Sequence, residues 1–234
     1  MHKEISVDVM GELALIADSV SKAYDGNVEI LRDVDLEIAK GEMILLWGRN
    51  GSGKTTLLNL LGCMDTPTEG KILVDGQDTG KLSQKQLARL RLRQIGYVFQ
   101  SHNLIEDLTI RENVYLPLRI AKSKDAEQRV KALLKTFGID ALARKRPNEI
   151  SGGESQKVAI ARALANNPSV MLADEPSASL DSESCGIVLD AFKRIRENFD
   201  TAIVVASHDP LLYDHIEKKY FLFDGRLKAK PEEV

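Results

Sequence analysis

The stretch Met43-Ile44-Leu45-Leu46-Trp47-Gly48-Arg49-Asn50-Gly51-Ser52-Gly53-Lys54-Thr55-Thr56 decides how this chain folds. Its first five residues form a continuous apolar run, as a strand buried on both faces requires. The glycines at 48, 51 and 53 let the backbone curl so that successive N–H groups point inward, and Thr55 to Leu61 reads as a helix. A Gly-x-x-x-x-Gly-Lys-Thr loop between a strand and a helix is a phosphate cradle, because the helix dipole and unpaired N–H groups favour an anion there. Gly48, Asn50, Gly51, Ser52, Gly53, Lys54, Thr55 and Thr56 are therefore candidate contacts to a nucleoside triphosphate. Lys54 supplies a cation near the β- and γ-phosphates, and the Thr55 hydroxyl is a candidate Mg2+ ligand.

Working outward, the 234 residues, 43% hydrophobic and 29% charged, allow a sizeable core in one domain or two intimate lobes. A formal charge of −3 supplies no broad basic field, so no nucleic-acid partner is expected. Cys63 and Cys185 match no metal or redox spacing and read as small fillers in a reducing cytosol. Apolar runs such as Met43–Trp47 fall far short of the roughly 20 residues that span a bilayer, and Met1 opens no signal-peptide pattern. A soluble chain on the synthesis side is expected.

Leu13 to Asp78 carries mostly strand signals. Val34, Leu36 and Ile38 alternate with charged residues, and Lys71-Ile72-Leu73-Val74 runs into the turn pair Asp75-Gly76. An antiparallel sheet beside the phosphate-binding strand is predicted, preceded by a loose extension over 1–12. After the strand Ile95–Phe99 the pattern turns helical. Thr109 and Glu112 make a capping box ahead of Val114, Leu116 and Leu118. Asp125–Phe137 is amphipathic through Val130, Leu133, Leu134 and Phe137, with Gly138 as its stop. Residues 101–148 read as a helical lobe inserted into an α/β core. From Ser169 to Ala206 strand and helix alternate as in a parallel sheet with crossover helices, and Tyr220–Gly225 closes as a strand and turn.

Asp174-Glu175 follows the apolar strand Val170–Ala173, at the carboxyl end where open α/β sheets place ligands. Asp174 suits Mg2+, which takes one or two carboxylates and keeps waters. Glu175 is placed to polarise a water for in-line attack on the γ-phosphate.

Ile150-Ser151-Gly152-Gly153-Glu154-Ser155-Gln156-Lys157-Val158-Ala159-Ile160-Ala161-Arg162-Ala163-Leu164 adds the decisive signal. With it the chain resembles the ATP-binding cassette (ABC) ATPases, whose signature is a Ser-Gly-Gly-Gln run opening a helix. The resemblance covers about Leu13 to Leu227, with the family's motifs in order. It implies a domain over 13–234: a phosphate-loop core with a mixed sheet, an N-terminal antiparallel β-subdomain and the inserted helical subdomain. It implies that Tyr24 stacks on adenine, that Gln100 touches Mg2+ and the attacking water, and that Ser179-Leu180-Asp181 reaches across a dimer. His208 matches the histidine that senses the γ-phosphate, and Glu175 the general base. ATP would lie between the phosphate loop of one copy and Ser151, Gly152 and Gly153 of a second copy, so hydrolysis requires two chains. Glu154 stands where the family has glutamine, and its expected service is the helix cap with Ser151. Ser177-Ala178-Ser179 likewise replaces the Thr-Gly-Asn common in the closest relatives.

Local strings such as Gly62-Cys63-Met64-Asp65-Thr66-Pro67-Thr68-Glu69-Gly70 resemble the subfamily that serves lipoprotein release, macrolide export and the cell-division complex. That resemblance implies a peripheral subunit on the cytoplasmic face of the membrane. It would be bound to separate permease subunits through a groove between core and helical lobe. Leu104, Leu108, Tyr115 and Leu116 are candidates for the groove or for lobe core. Force transmission to a membrane partner without transport fits equally well, and a soluble cassette acting on DNA or ribosomes is the alternative of another class.

Overall fold

The computed structural model describes residues 12–24, 28–178 and 182–229. The phosphate-loop strand β3 (Met43–Trp47) lies inside a six-stranded sheet, with parallel neighbours β8 (Ala202–Ser207) and β9 (Lys218–Phe223) on its two sides. Beyond β8 follow β7 (Val170–Asp174) and β6 (Ile95–Val98), both parallel, while β10 (Arg226–Lys228) pairs antiparallel at the other edge. Every residue of β7 and β8 is buried. That is why these segments are continuous apolar runs: helices or a second sheet cover both faces.

The second sheet is antiparallel, in the order β2 (Val28–Ala39), β1 (Leu13–Tyr24), β4 (Glu69–Val74), β5 (Gln77–Asp78). Its period-two pattern is obeyed: Val34, Leu36 and Ile38 point into the core, and Asp33, Asp35 and Glu37 are exposed. Helix α1 (Lys54–Leu61) adds Leu57, Leu58, Leu60 and Leu61 to that core. Alternation along β3 divides the interior. Ile44 and Leu46 join the cluster shared with the antiparallel sheet, and Leu45 joins the cluster formed by the helices.

Helix α2 (Gln84–Gln94) leads into β6. Helices α3 (Ile110–Ile120) and α4 (Ala126–Thr136) follow and pack on α5 (Gly152–Ala163). Thr109 and Glu112 form the expected capping box on α3, and Gly138, at φ +64°, follows the C-cap of α4. Helix α6 (Ser182–Asn198) connects β7 to β8, and α7 (Pro210–His215) leads to β9. The extension expected over 1–12 lies outside the described residues except for Glu12. Among the described residues no helix is long and apolar enough to cross a membrane. Cys63 is buried as a filler, and burial pushes its thiol up to about 11. The side chain of Cys185 lies outside the description.

The antiparallel sheet carries one sharp steric requirement. Strand β1 changes register between Asp18 and Ser21, and a Cβ on Gly70, at φ +80°, would stand 2.2 Å from the Ser19 carbonyl oxygen. Gly70→Ala is expected to lower stability by about 2–4 kcal/mol, since the backbone must shift and the alanine must hold a left-handed conformation. Thermal melting checks this. An unchanged transition would show that the two strands give way freely.

Candidate active site

The loop after β3 turns on its glycines. Gly51 and Gly53 lie at φ +79° and +103°, and a Cβ on Gly48 would stand 2.8 Å from the Leu222 carbonyl oxygen. Gly53 is the N-cap of α1, offers no capping side chain, and the first turn holds no acidic residue. The positive end of α1 is therefore left for an anion. Asn50, Gly51 and Thr55 are exposed, and Ser52 and Thr56 are half-buried.

Lys54 lies across its own loop. Its ammonium donates to the carbonyls of Gly48 (2.8 Å) and Arg49 (3.2 Å) and sits 3.2 Å from Glu175 Oε1. Glu175 is met from the other side by His208 Nδ1 at 2.9 Å from Oε1, by the Ser207 hydroxyl donating to Oε2 at 3.1 Å, and by the His208 N–H at 3.4 Å from Oε2. It holds φ +45°, an uncommon conformation for a residue with a side chain, fixed by its N–H donating to the Ala206 carbonyl at 2.8 Å. Lys54, Glu175 and His208 thus converge because β3, β8 and β7 are consecutive parallel strands whose C-terminal ends share one edge.

Asp174, at the end of β7, is 9% exposed. Burial raises its carboxyl above the ordinary range and the charge of Glu175 adds to this, while a hydrogen bond with the Thr55 side chain and the charge of Lys54 oppose it. Among the described residues Asp174 Oδ1 is buried with no hydrogen-bond partner. A buried carboxylate oxygen with no partner, on a side chain that interacts with the Thr55 hydroxyl, supplies the hard-oxygen donors that suit Mg2+. The residues present fit that ion.

Gln100 is exposed two positions past Val98, whose strand partner is Ala173, so it stands at the same sheet edge as Glu175. Ser151 caps α5 by accepting the Glu154 N–H at 3.3 Å, and Glu154 Oε2 accepts the Ser151 N–H at 2.8 Å. The departure at Glu154 is thereby given its expected use. Ser151 and Gly152 are exposed, and Gly153 is buried. Tyr24 ends β1 at 42% exposure, its hydroxyl donating to Asp65 Oδ2 at 2.6 Å. That bond raises the phenol, with burial and the Asp65 charge adding. Lys22, 2.7 Å from Asp65 Oδ1, lies 4.7 Å from the Tyr24 ring centroid and steadies the same corner. Ser179, Leu180 and Asp181 lie outside the described residues.

The structure adds residues that sequence reading passed over. Ser207 touches Glu175 directly, and only its place beside His208 could have marked it. Arg162, near the end of α5, donates to the carbonyls of His102 (2.6 Å) and Asn103 (2.5 Å), two successive residues at positive φ just beyond Gln100. Burial lowers its guanidinium from the usual value.

Between α2, β6, α3 and α5 runs a groove of about 310 Å3, with Leu92, Tyr97, Phe99, Leu116, Pro117 and Ile120 among its walls. Of the four apolar residues singled out from sequence, Leu116 lines it, whereas Leu104 and Tyr115 pack against the helical core and Leu108 is half-buried in the turn that Asn113 holds. Ile120, 59% exposed, was the missed marker.

A glycine loop feeding a helix N-terminus, with acidic residues ending a parallel strand one place removed in the same sheet, defines a phosphate-loop nucleoside triphosphatase. Within that class the chain belongs to the ABC transporter family, whose family profile matches residues 31–178. It is similar to the ATP-binding cassette MJ0796 in a dimeric post-hydrolysis state with ADP and Pi, at 37% identity and TM-score 0.81 over 94% of this chain and 100% of that one. A second dimeric structure of MJ0796, described as a bacterial ABC transporter cassette, gives 38% identity and TM-score 0.81 over 93% and 100%. CbiO1 from Clostridium perfringens, part of the ABC transporter complex CbiONQ, gives 26% identity and TM-score 0.84 over 93% and 87%. The chain is accordingly a cassette ATPase with the mixed α/β architecture of that family.

Proposed function

We propose that this chain powers a membrane permease by binding and hydrolysing MgATP between two head-to-tail copies. The observation that carries the hydrolytic reading is the meeting of Lys54 and His208 on one oxygen of Glu175, at 3.2 and 2.9 Å from Oε1. Lys54 neutralises Glu175, and the triphosphate, when it binds, replaces that carboxylate as its partner. Glu175, released from Lys54, accepts the proton of a water lined up with the γ-phosphate, and His208 stays in contact with Glu175 while facing the transferred group. Thr55 and Asp174 would hold Mg2+, with Gln100 at the same edge. When bound, the ion offsets charge on the β- and γ-oxygens. Gly48 to Thr56 supply inward N–H groups, Tyr24 a face for the base, and Ser151, Gly152 and Gly153 close over the partner's nucleotide. Dimeric MJ0796 with ADP and Pi supports this arrangement by its similarity.

A permease partner is supported by the groove. It is apolar, open, and bordered by Arg91 and Arg162, which suits an amphipathic helix presented from a membrane protein. The protein is thereby peripheral on the cytoplasmic face. Pull-down from detergent-solubilised membranes tests this, using the unaltered chain beside Leu116→Asp/Ile120→Asp. An integral membrane protein is expected with the first and is lost with the second. Ribosomes or DNA in its place would overturn the permease reading.

A further inference from the structure

Four contacts hold the Glu175 carboxylate, and they divide into two kinds. Lys54 and the His208 ring, 3.2 and 2.9 Å from Oε1, are the groups a triphosphate competes for. The Ser207 hydroxyl and the His208 N–H, 3.1 and 3.4 Å from Oε2, belong to the end of β8 and compete with nothing. Ser207 is fully buried. Its oxygen also accepts the Asp209 N–H at 3.1 Å, so its single proton is directed to Glu175.

Asp209 is fixed in turn. Its Oδ1 caps α7 by accepting the Leu211 N–H at 2.9 Å, and its Oδ2 accepts the hydroxyl of Ser177 at 2.7 Å. Ser177, 4% exposed, lies two residues after Glu175 on the same turn. The circuit closes: Glu175 to Ser177 through the chain, Ser177 to Asp209, Asp209 to Ser207, Ser207 back to Glu175. A ring of this kind fixes the turn after β7 against the turn after β8.

We propose that Ser207, held by the Ser177–Asp209 pair, is the positioning residue that keeps Glu175 aimed once nucleotide has drawn Lys54 away. The proposal rests on Glu175 being the base. Ser207, fully buried, acts through the carboxylate, so its loss leaves nucleotide binding intact and lets the base swing. The chain's departure at Ser177 keeps a hydroxyl at the position that closes the circuit.

Three variants, Ser207→Ala, Ser207→Thr and Glu175→Gln, are compared by phosphate release under saturating MgATP and by ADP titration calorimetry. Ser207→Ala fits the same space and is expected to lower kcat about 10- to 100-fold, with the KM for ATP and the affinity for ADP within about twofold of the unaltered protein. Ser207→Thr restores the hydroxyl and is expected to recover most of kcat. Unchanged kcat in Ser207→Ala, with Glu175→Gln inactive, would sink the positioning role while leaving the base in place. Joint loss of kcat and ADP affinity in Ser207→Ala, not rescued by threonine, would mark Ser207 as structural and overturn the proposal. Full activity in Glu175→Gln would remove the base itself, and the proposal with it.

Discussion

Glu175→Gln is expected to bind MgATP at least as tightly as the unaltered chain while hydrolysing it about 100- to 10,000-fold more slowly, the range a positioned general base contributes. Glutamine keeps the size and hydrogen-bond reach of the glutamate but accepts no proton at neutral pH. Its neutral amide also gives up the ion pair with Lys54, 3.2 Å away, so the lysine is no longer shared between carboxylate and phosphate. Binding therefore gains while chemistry stalls. With product formation blocked, two chains closed on ATP remain closed. Phosphate release reads the first effect, and size-exclusion chromatography with ATP and Mg2+ reads the second. Turnover at the unaltered rate would remove Glu175 from the role of base.

Lys54→Ala is the second large expectation: ATP affinity falls about 100-fold, which is about 2.7 kcal/mol. The ammonium is 6% exposed and bonds to the Gly48 and Arg49 carbonyls. A charge so enclosed is costly to keep unless it is paired, and Glu175 pairs it until phosphate arrives. Alanine removes the cation from the cradle and leaves Glu175 and Asp174 as uncompensated negative charge beside a tri-anionic ligand. Both changes act against binding. Calorimetry with ATP measures the loss, and an affinity within twofold of the unaltered chain would show that the loop N–H groups and α1 alone bear the phosphates.

Much of this site was legible before any coordinates. The loop at Gly48–Thr55 is readable because its φ values demand glycine, and the capping boxes at Thr109–Glu112 and Ser151–Glu154 because their partners lie three residues apart. Strand-end placement of Asp174 and Glu175 followed from an apolar run with no polar interruption. What stayed hidden depends on pairs distant in the chain. Tyr24 meets Asp65 across 41 residues, and Ser177 meets Asp209 across 32. No local periodicity encodes such contacts. The choice between groove and core stays open in the sequence for the same reason: Tyr115 and Leu116 are adjacent on α3, and only the packing of α5 decides which faces the core.

Arg162 gives the molecule a mechanical property. It pins the carbonyls of His102 and Asn103 to the far end of α5, while Ser151 caps the near end of the same 12-residue helix, about 18 Å away. Arg162 and Asn103 also border the groove. Helix α5 is thus a stiff lever with its handle in the groove, one arm tied to the Gln100 segment and the other ending at Ser151. In the proposed dimer those arms belong to different nucleotides, the chain's own and its partner's. A displacement of that helix at the groove would therefore reach both sites of the proposed dimer.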